Sequence, residues 1–297
     1  MIQLAEIEKS SAPAARTGRP GRVAFLAHSG FVSELRIGSH QLARAFAARG
    51  WRVLHVPLPV SPVHGLLAPL SAAYRRRLAR VRRGPVMVEP GVTEIVPFVW
   101  LPWPMVRHLG PRAVEAHARG AGSLRQQAAR LGFFRPDLLF IDEPRASGLA
   151  RNFAAHLTIY RATDLYHHLK GDPSLIEAER AALRRSAGFI ATSHPVYKHL
   201  SRLAPHLAGR LVENGVDFER FARPAEEPAD LRRLPRPRLI YAGALDRRFD
   251  WTAVLCLAAV NPAWQIVLIG PESGGGRPGW LPPNVHRLGP RAYEQLP

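Results

Sequence analysis

Arg22-Val-Ala-Phe-Leu-Ala-His28 and Arg52-Val-Leu-His-Val56 are two short apolar runs, separated by a glycine-containing loop from Ser29 to Gly38 and a segment of helical periodicity. In that segment Leu42, Phe46 and Ala47 share one face, Ser39 is the expected N-cap, and Gly50 is the stop. Strand, loop, helix and strand within about 35 residues make a βαβ unit, because adjacent parallel strands need a crossover of that length. Apolar runs without alternation are expected where a strand is covered on both faces.

The alternation continues outward. Asp137–Ile141, Leu157–Tyr160, Gly188–Ala191 and Arg210–Glu213 read as strands, with helices expected over Ala146–Phe153, Pro173–Ser186 and Pro195–Leu203. A second block opens with Arg238-Leu-Ile-Tyr-Ala242, then a helix over Trp251–Val260 and the strand Gln265-Ile-Val-Leu-Ile269. The fold class predicted is α/β, a pair of Rossmann-like domains with a cleft between them. Residues 1–20 read as a flexible arm, 21–216 as the first domain, 217–236 as a linker rich in proline and charge, and 237–297 as the second domain. That last block has 61 residues, small for an independent domain.

Among 297 residues, 41 are Lys or Arg and 23 Asp or Glu, a formal charge of +18. Only Lys9, Lys170 and Lys198 are lysines, so the excess is carried by arginine. An anionic partner is expected: a phosphate-bearing substrate, a membrane surface or nucleic acid. The single cysteine, Cys256, excludes an internal disulfide and a thiolate zinc cluster. Thirteen histidines are scattered, and His167-His168 has no partner at ligand spacing, so no metal site is expected. No apolar run approaches the roughly 18 residues of a spanning helix, and the first twenty residues lack the apolar core of a signal peptide. The chain reads as a cytoplasmic protein that can rest on the inner face of a membrane.

Several segments carry chemistry. Asp164, in Tyr160-Arg-Ala-Thr-Asp164, follows a strand, where ligands of parallel sheets bind; a carboxylate there can take a proton from a hydroxyl. It can equally be a helix N-cap or the partner of Arg161. His28-Ser29 closes the first strand and Asn214-Gly215 forms a turn before the linker. Gly243 and Ala244 keep the backbone accessible before a helix N-terminus that suits a diphosphate, and Arg247 and Arg248 add charge-assisted bonds, or the segment is a small-residue turn beside a solvated basic pair; Gly270 ends the next strand in a glycine-rich loop that is a weak signal alone. No GxGxxG or GxxxxGK[ST] occurs. Six arginines between Tyr74 and Arg83, upstream of Phe98-Val-Trp-Leu-Pro-Trp-Pro-Met105, suit an anionic membrane interface, or a solvated basic helix with its tryptophans in the core.

Taken in order, these fragments resemble the GT-B glycosyltransferases: His28-Ser29, Arg161-Ala-Thr-Asp164, Asn214-Gly-Val-Asp217, Tyr241-Ala-Gly-Ala-Leu-Asp246 and Pro283-Asn-Val-His286 with Gly289. Within the family they are similar to the membrane-associated inverting glucuronosyltransferases of xanthan assembly. The resemblance implies two Rossmann-like domains, the second truncated, and sugar transfer from a nucleotide-sugar donor to a saccharide or polyprenyl-linked acceptor, with no cofactor and no metal. It implies Asp164 as catalytic base, donor contacts at Gly243, Ala244, Leu245, Arg247 and Gly270, and acceptor or cleft roles for His28, Ser29, Arg161 and Asn214. The alternative is a truncated, non-catalytic homologue that binds acceptor or membrane. No specific nucleic-acid partner is expected, since no zinc-finger or RNP signature accompanies the charge. Duplex DNA should therefore bind weakly, without sequence preference, and be released by about 0.2 M salt; sequence-selective binding surviving that salt in a filter assay would reverse this reading.

Overall fold

In the computed structural model, residues 19–31, 37–67, 71–273, 276 and 278–296 are described. Most of the expected arm at 1–20, and parts of the loops after His28 and Gly270, lie outside them. The chain divides into two compact units, Met1–Asn214 and Gly215–Pro297.

The first unit is built on an eight-stranded sheet in the order β3-β4-β2-β1-β5-β6-β7-β8. Its strands are β1 (Arg22–Ala27), β2 (Arg52–Pro57), β3 (Val86–Glu89), β4 (Val92–Glu94), β5 (Leu138–Ile141), β6 (Leu157–Ala162), β7 (Gly188–Ala191) and β8 (Ala208–Leu211). All neighbours are parallel except β3 and β4. The helices are α1 (Gly38–Ala48), α2 (Pro62–Leu67), α3 (Ala72–Arg83), α4 (Trp103–Val106), α5 (Ala113–His117), α6 (Gly122–Arg130), α7 (Tyr166–Lys170), α8 (Leu175–Arg184) and α9 (His194–Leu203), with a 3-10 segment at Pro144–Asn152.

Alternate residues of each central strand feed two separate cores, as the period of two requires. Ala24, Leu26, Leu54, Val56, Leu139 and Ile141 pack on one face, against α5, α8 and α9 residues such as Val114, Ala182 and Leu200. Val23, Phe25, Val53 and Phe140 pack on the other, against Ala43 and Phe46 of α1. Registers Val23↔Val53 and Phe25↔Phe140 fix this partition, and the Phe25 and Phe140 rings stack at 5.1 Å. A one-residue slip would exchange the two faces.

Four local expectations shift. Ser39 does not cap α1: the helix starts at Gly38, His40 Nδ1 accepts the Ile37 N–H at 3.2 Å, and Ser39 is buried. The segment expected as a helix over Ala146–Phe153 is the 3-10 turn Pro144–Asn152, in which a Cβ on Gly148 would come within 2.2 Å of the Val114 carbonyl oxygen. The strand expected at Arg210–Glu213 lies two residues earlier, at Ala208–Leu211. The aromatic run splits: Trp103 is buried and donates to Asp172, whereas Trp100 is 60% exposed.

The second unit carries a three-stranded parallel sheet, β11-β10-β9, from β9 (Arg238–Ala242), β10 (Gln265–Ile269) and β11 (Val285–Gly289). Within the expected linker the chain forms α10 (Phe218–Ala222) and α11 (Ala229–Arg232), held to the end of the chain by an Asp230–Arg291 ion pair and the Phe221–Tyr293 ring contact. α12 (Trp251–Val260) covers β10 through Trp251 and Ala258, and buried Asn284 donates to the Ala258, Asn261 and Trp264 carbonyls that the helix end leaves open. The class expected from sequence, α/β with two Rossmann-like units on parallel sheets, is the one observed.

Two buried imidazoles make the fold acid-sensitive. His55, inside β2, has neither ring nitrogen hydrogen-bonded, and burial followed by the nearby His40 lowers its pKa to about 3. Burial lowers His117 to about 4, although the Leu101 carbonyl hydrogen bond pulls the other way. Below the usual 6.5 the unfolded chain binds protons that the folded chain refuses, so stability is lost as the pH is lowered, by about 1.4 kcal/mol per pH unit for each group until its folded-state pKa is reached. Urea unfolding between pH 7 and pH 4 should show this acid limb, and His55→Leu should flatten it; an unchanged slope in that variant would remove His55 as its source.

Candidate functional site

The order of the first sheet reverses at β1, with β2 on one side and β5 on the other. Ligands of open α/β sheets bind at such a switch point, beyond the carboxyl ends of the strands. His28 follows β1, Asp142 and Glu143 follow β5, and Thr163 and Asp164 follow β6. Tyr166 joins His28, Thr163 and the Asp142 backbone carbonyl into one hydrogen-bonded group, with Glu143 on His28 and Asp164 on Thr163.

His28 Nδ1 lies 2.8 Å from Glu143 Oε2, and its Nε2 lies 2.8 Å from the Tyr166 hydroxyl. Arg145 donates twice more to Glu143, at 2.8 and 2.7 Å. Burial alone would raise the Glu143 carboxyl; the hydrogen bonds from Arg145 and His28 instead hold it far below the usual carboxylate range. Burial pushes the Tyr166 phenol well above its ordinary value, so it stays protonated and donates to the Asp142 carbonyl at 2.9 Å. Both nitrogens of His28 are thus engaged.

Arg161, from the end of β6, donates to both Asp142 oxygens at 3.0 and 2.7 Å, with the two side chains 6% and 0% exposed. Gly38, the first residue of α1, lies against this guanidinium: a Cβ there would sit 3.3 Å from Arg161 Nη1 and 3.7 Å from the exposed Asn214 amide oxygen. The helix start, Arg161 and Asn214 are therefore neighbours, and Ser29 is half-buried after His28.

Asp164 is half-buried and accepts from the Thr163 hydroxyl at 3.0 Å. Both simple alternatives for it are absent. The guanidinium of Arg161 is on Asp142, and α7 begins at Tyr166 after Leu165, without a side-chain cap. Among the described residues Asp164 has no ion-pair partner. Thr192 holds the Thr163 carbonyl at 3.0 Å, which fixes the loop that presents the carboxylate.

In the second unit, Gly243, Ala244, Leu245, Arg247 and Gly270 stand beyond the carboxyl ends of β9 and β10. The N–H groups of Gly243, Leu245 and Gly270 are bonded to the Ile269, Pro271 and Gly289 carbonyls, at 2.9, 3.0 and 3.0 Å. Gly270 is needed for close approach: with φ at +148°, a Cβ would fall 1.8 Å from the Gly243 oxygen. A cavity of about 320 Å³ beside them is lined by Asp246, Arg247, Asp250 and Trp251 among others, with Asp246 paired to Arg248 at 2.7 Å.

A third grouping escapes sequence spacing. His167 of α7, Glu179 of α8 and His199 of α9 bring one donor atom each within 4.8 Å of one another. Asp142, Glu143, Arg145, Thr163 and Tyr166 were also not legible as site residues, although Asp142-Glu143 directly after an apolar run is the signal that would have found them.

Breaking a buried ion pair from one side leaves the other charge stranded, at a cost of about 3–5 kcal/mol. Asp142→Asn should lose that much stability in urea unfolding, whereas Asp164→Asn should lose about 1 kcal/mol or less. Equal losses would mean that Asp164 has a structural partner.

No family model and no curated protein sequence matches the chain. Among solved structures it is similar to a sucrose-phosphate synthase from Thermosynechococcus elongatus, at 18% identity and a TM-score of 0.38, over 69% of this chain and 93% of that one. It is similar to the glycosyltransferase SnogD from Streptomyces nogalater at 16% identity and a TM-score of 0.47, over 91% of this chain and 72% of that one. The spinosyn forosaminyltransferase SpnP gives 18% identity and a TM-score of 0.45, over 91% and 70%. Likeness at this level says nothing about donor, acceptor or mechanism.

Proposed function

We propose that the chain is a GT-B-type glycosyltransferase that moves a sugar from a nucleotide-sugar donor to a saccharide acceptor of the polyprenyl-linked kind, with Asp164 as general base. The observation that carries this reading is the half-buried Asp164 carboxylate at the carboxyl edge of β6, free of any ion pair among the described residues, while Arg161 beside it is held by Asp142. A base must reach the hydroxyl whose proton it takes, and a carboxylate already locked to a guanidinium does that poorly.

In the proposed reaction Asp164 removes the proton of an acceptor hydroxyl. The hydroxyl oxygen forms a bond to the anomeric carbon from the face opposite the leaving group. The bond from that carbon to the diphosphate oxygen breaks, its electron pair leaves with the nucleoside diphosphate, and the configuration inverts. Thr163 steadies the carboxylate, and His28, Glu143 and Tyr166 hold the floor rigid beneath it. On the donor side the residues are Gly243, Ala244, Leu245, Arg247 and Gly270. The acceptor side comprises His28, Ser29, Arg161 and Asn214.

A second reading, a non-catalytic module that binds acceptor or an anionic membrane, is favoured by separate observations. Arg75, Arg76, Arg82 and Arg83 of α3 are exposed, as are Trp100 and Met105. Three N–H groups of the donor segment are taken by backbone carbonyls. No helix among the described residues is long and apolar enough to cross a membrane.

Thermal-shift titration with UDP- and GDP-sugars separates the two, because a ligand at a hundred times its Kd stabilises by about 2.7 kcal/mol. In the enzyme, Asp164→Asn should keep that shift and lose about 10²–10⁴-fold in turnover. No shift with any donor would favour the binding module, and full turnover in the variant would remove Asp164 as the base.

A further inference from the structure

We infer that His167, Glu179 and His199 form a site for a zinc-type divalent cation, independent of any sugar-transfer activity. The three residues come from α7, α8 and α9 and converge on one carboxylate oxygen. His199 Nε2 is 2.8 Å from Glu179 Oε2, and His167 Nδ1 is 3.8 Å from the same atom. The other oxygen, Oε1, accepts the Tyr160 hydroxyl at 3.0 Å. The Glu179 side chain is fully buried, while those of His167 and His199 are 15% and 18% exposed, so the cluster has an anionic base and an open rim through which an ion can enter.

The decisive feature is His167 Nδ1, which is buried and has no hydrogen-bond partner. At 3.8 Å it is beyond hydrogen-bonding distance of the carboxylate it faces. A cation held between this nitrogen and the carboxylate would give the unbonded Nδ1 a partner. Among the described residues its ring neighbours do not bond that nitrogen: His168 lies tilted at 4.2 Å and His199 stacks at 4.7 Å.

The donor set narrows the ion to zinc or a similar borderline divalent metal. Two imidazole nitrogens and one carboxylate oxygen suit zinc, with water in the fourth position, and are a poor match for magnesium or calcium. Zinc bonds of about 2.0–2.2 Å in a tetrahedron place donors about 3.4 Å apart. His199 therefore has to open slightly and His167 to close slightly, with the His199 proton moving to Nδ1. The Tyr160 hydrogen bond orients the carboxylate from behind, as outer partners of metal ligands do. The bound ion would join three helices and fix α7, whose His167 lies three residues beyond Asp164.

The test uses the full chain, dialysed against chelator and titrated calorimetrically with Zn²⁺ alone, and in parallel with Co²⁺ alone to read coordination from its visible spectrum. One equivalent of Zn²⁺ should bind and raise the thermal midpoint, and Co²⁺ should give the intense absorption of a tetrahedral site. His167→Ala removes a side chain whose Nδ1 bonds to nothing and leaves the Glu179–His199 pair in place, so the variant should fold. Its Zn²⁺ affinity should drop at least about 100-fold, beyond the upper end of what loss of an outer partner costs, and Tyr160→Phe should cost about 10–100-fold. His206→Ala, at an exposed position outside the cluster, and Cys256→Ser should leave binding unchanged. Absence of one-to-one binding, or binding that His167→Ala does not weaken, would overturn the assignment.

Discussion

The Arg161–Asp142 pair is the interaction on which the carboxyl edge of the first sheet depends. A bidentate guanidinium–carboxylate contact almost out of reach of water has a fixed geometry, because any departure leaves two desolvated charges partly unpaired. It ties the end of β6 to the residue after β5. It places the Asp142 carbonyl where Tyr166 donates, and Tyr166 in turn meets His28 from the end of β1. Three strand ends are thereby joined through side chains just where the backbone ladder stops. The same pairing keeps Arg161 on Asp142, so that among the described residues the half-buried Asp164 is left without an ion-pair partner while Asp142 and Glu143 beneath it are paired with arginines.

The strands were legible because the central sheet is covered on both faces, which writes itself into the sequence as unbroken apolar runs such as Phe25-Leu26-Ala27 and Leu139-Phe140-Ile141. Legibility failed where a residue serves a neighbour distant in sequence. The strand expected at Arg210–Glu213 begins at Ala208 and takes in Gly209, where the absence of a side chain makes room for the Phe189 ring of β7: a Cβ there would lie 2.2 Å from it. The strands β3 and β4 flank the Pro90-Gly91 turn and pair antiparallel at the edge of the sheet, with Met87 exposed and Val88 half-buried, outside the repeating strand–helix alternation that marks the other strands.

The site divides along the same line. Asp164, His28 and Arg161 could be picked from sequence because each sits at or just past a strand end, and strand ends are recognisable. Their partners could not be assigned, because Arg161 chooses Asp142 over the nearer Asp164 for reasons of burial that only the packed sheet supplies. Histidines show the same gap. Spacing offers nothing to pair His167 with, yet α8 and α9 deliver Glu179 and His199 from twelve and thirty-two residues away. His55, by contrast, sits inside an apolar strand, where burial keeps its ring neutral although the Glu94 carboxylate lies 3.9 Å away.

Backbone N–H groups at the strand ends are committed in both units: in the first, those of Asp142 and Glu143 go to the Leu26 carbonyl and that of Thr192 to Ala162. In the second unit, close approach at Gly243 and Gly270 commits Gly243, Leu245 and Gly270 to carbonyls, so these small residues tighten the turn. Asp250 then accepts the Ala253 N–H at the start of α12, which adds negative charge at the one helix end that would favour an anion. An anion at this edge would therefore be met by arginine side chains rather than by a backbone cradle. That is consistent with a chain whose positive charge is carried almost entirely by arginine, whose planar fork engages phosphate oxygens in pairs without help from the main chain.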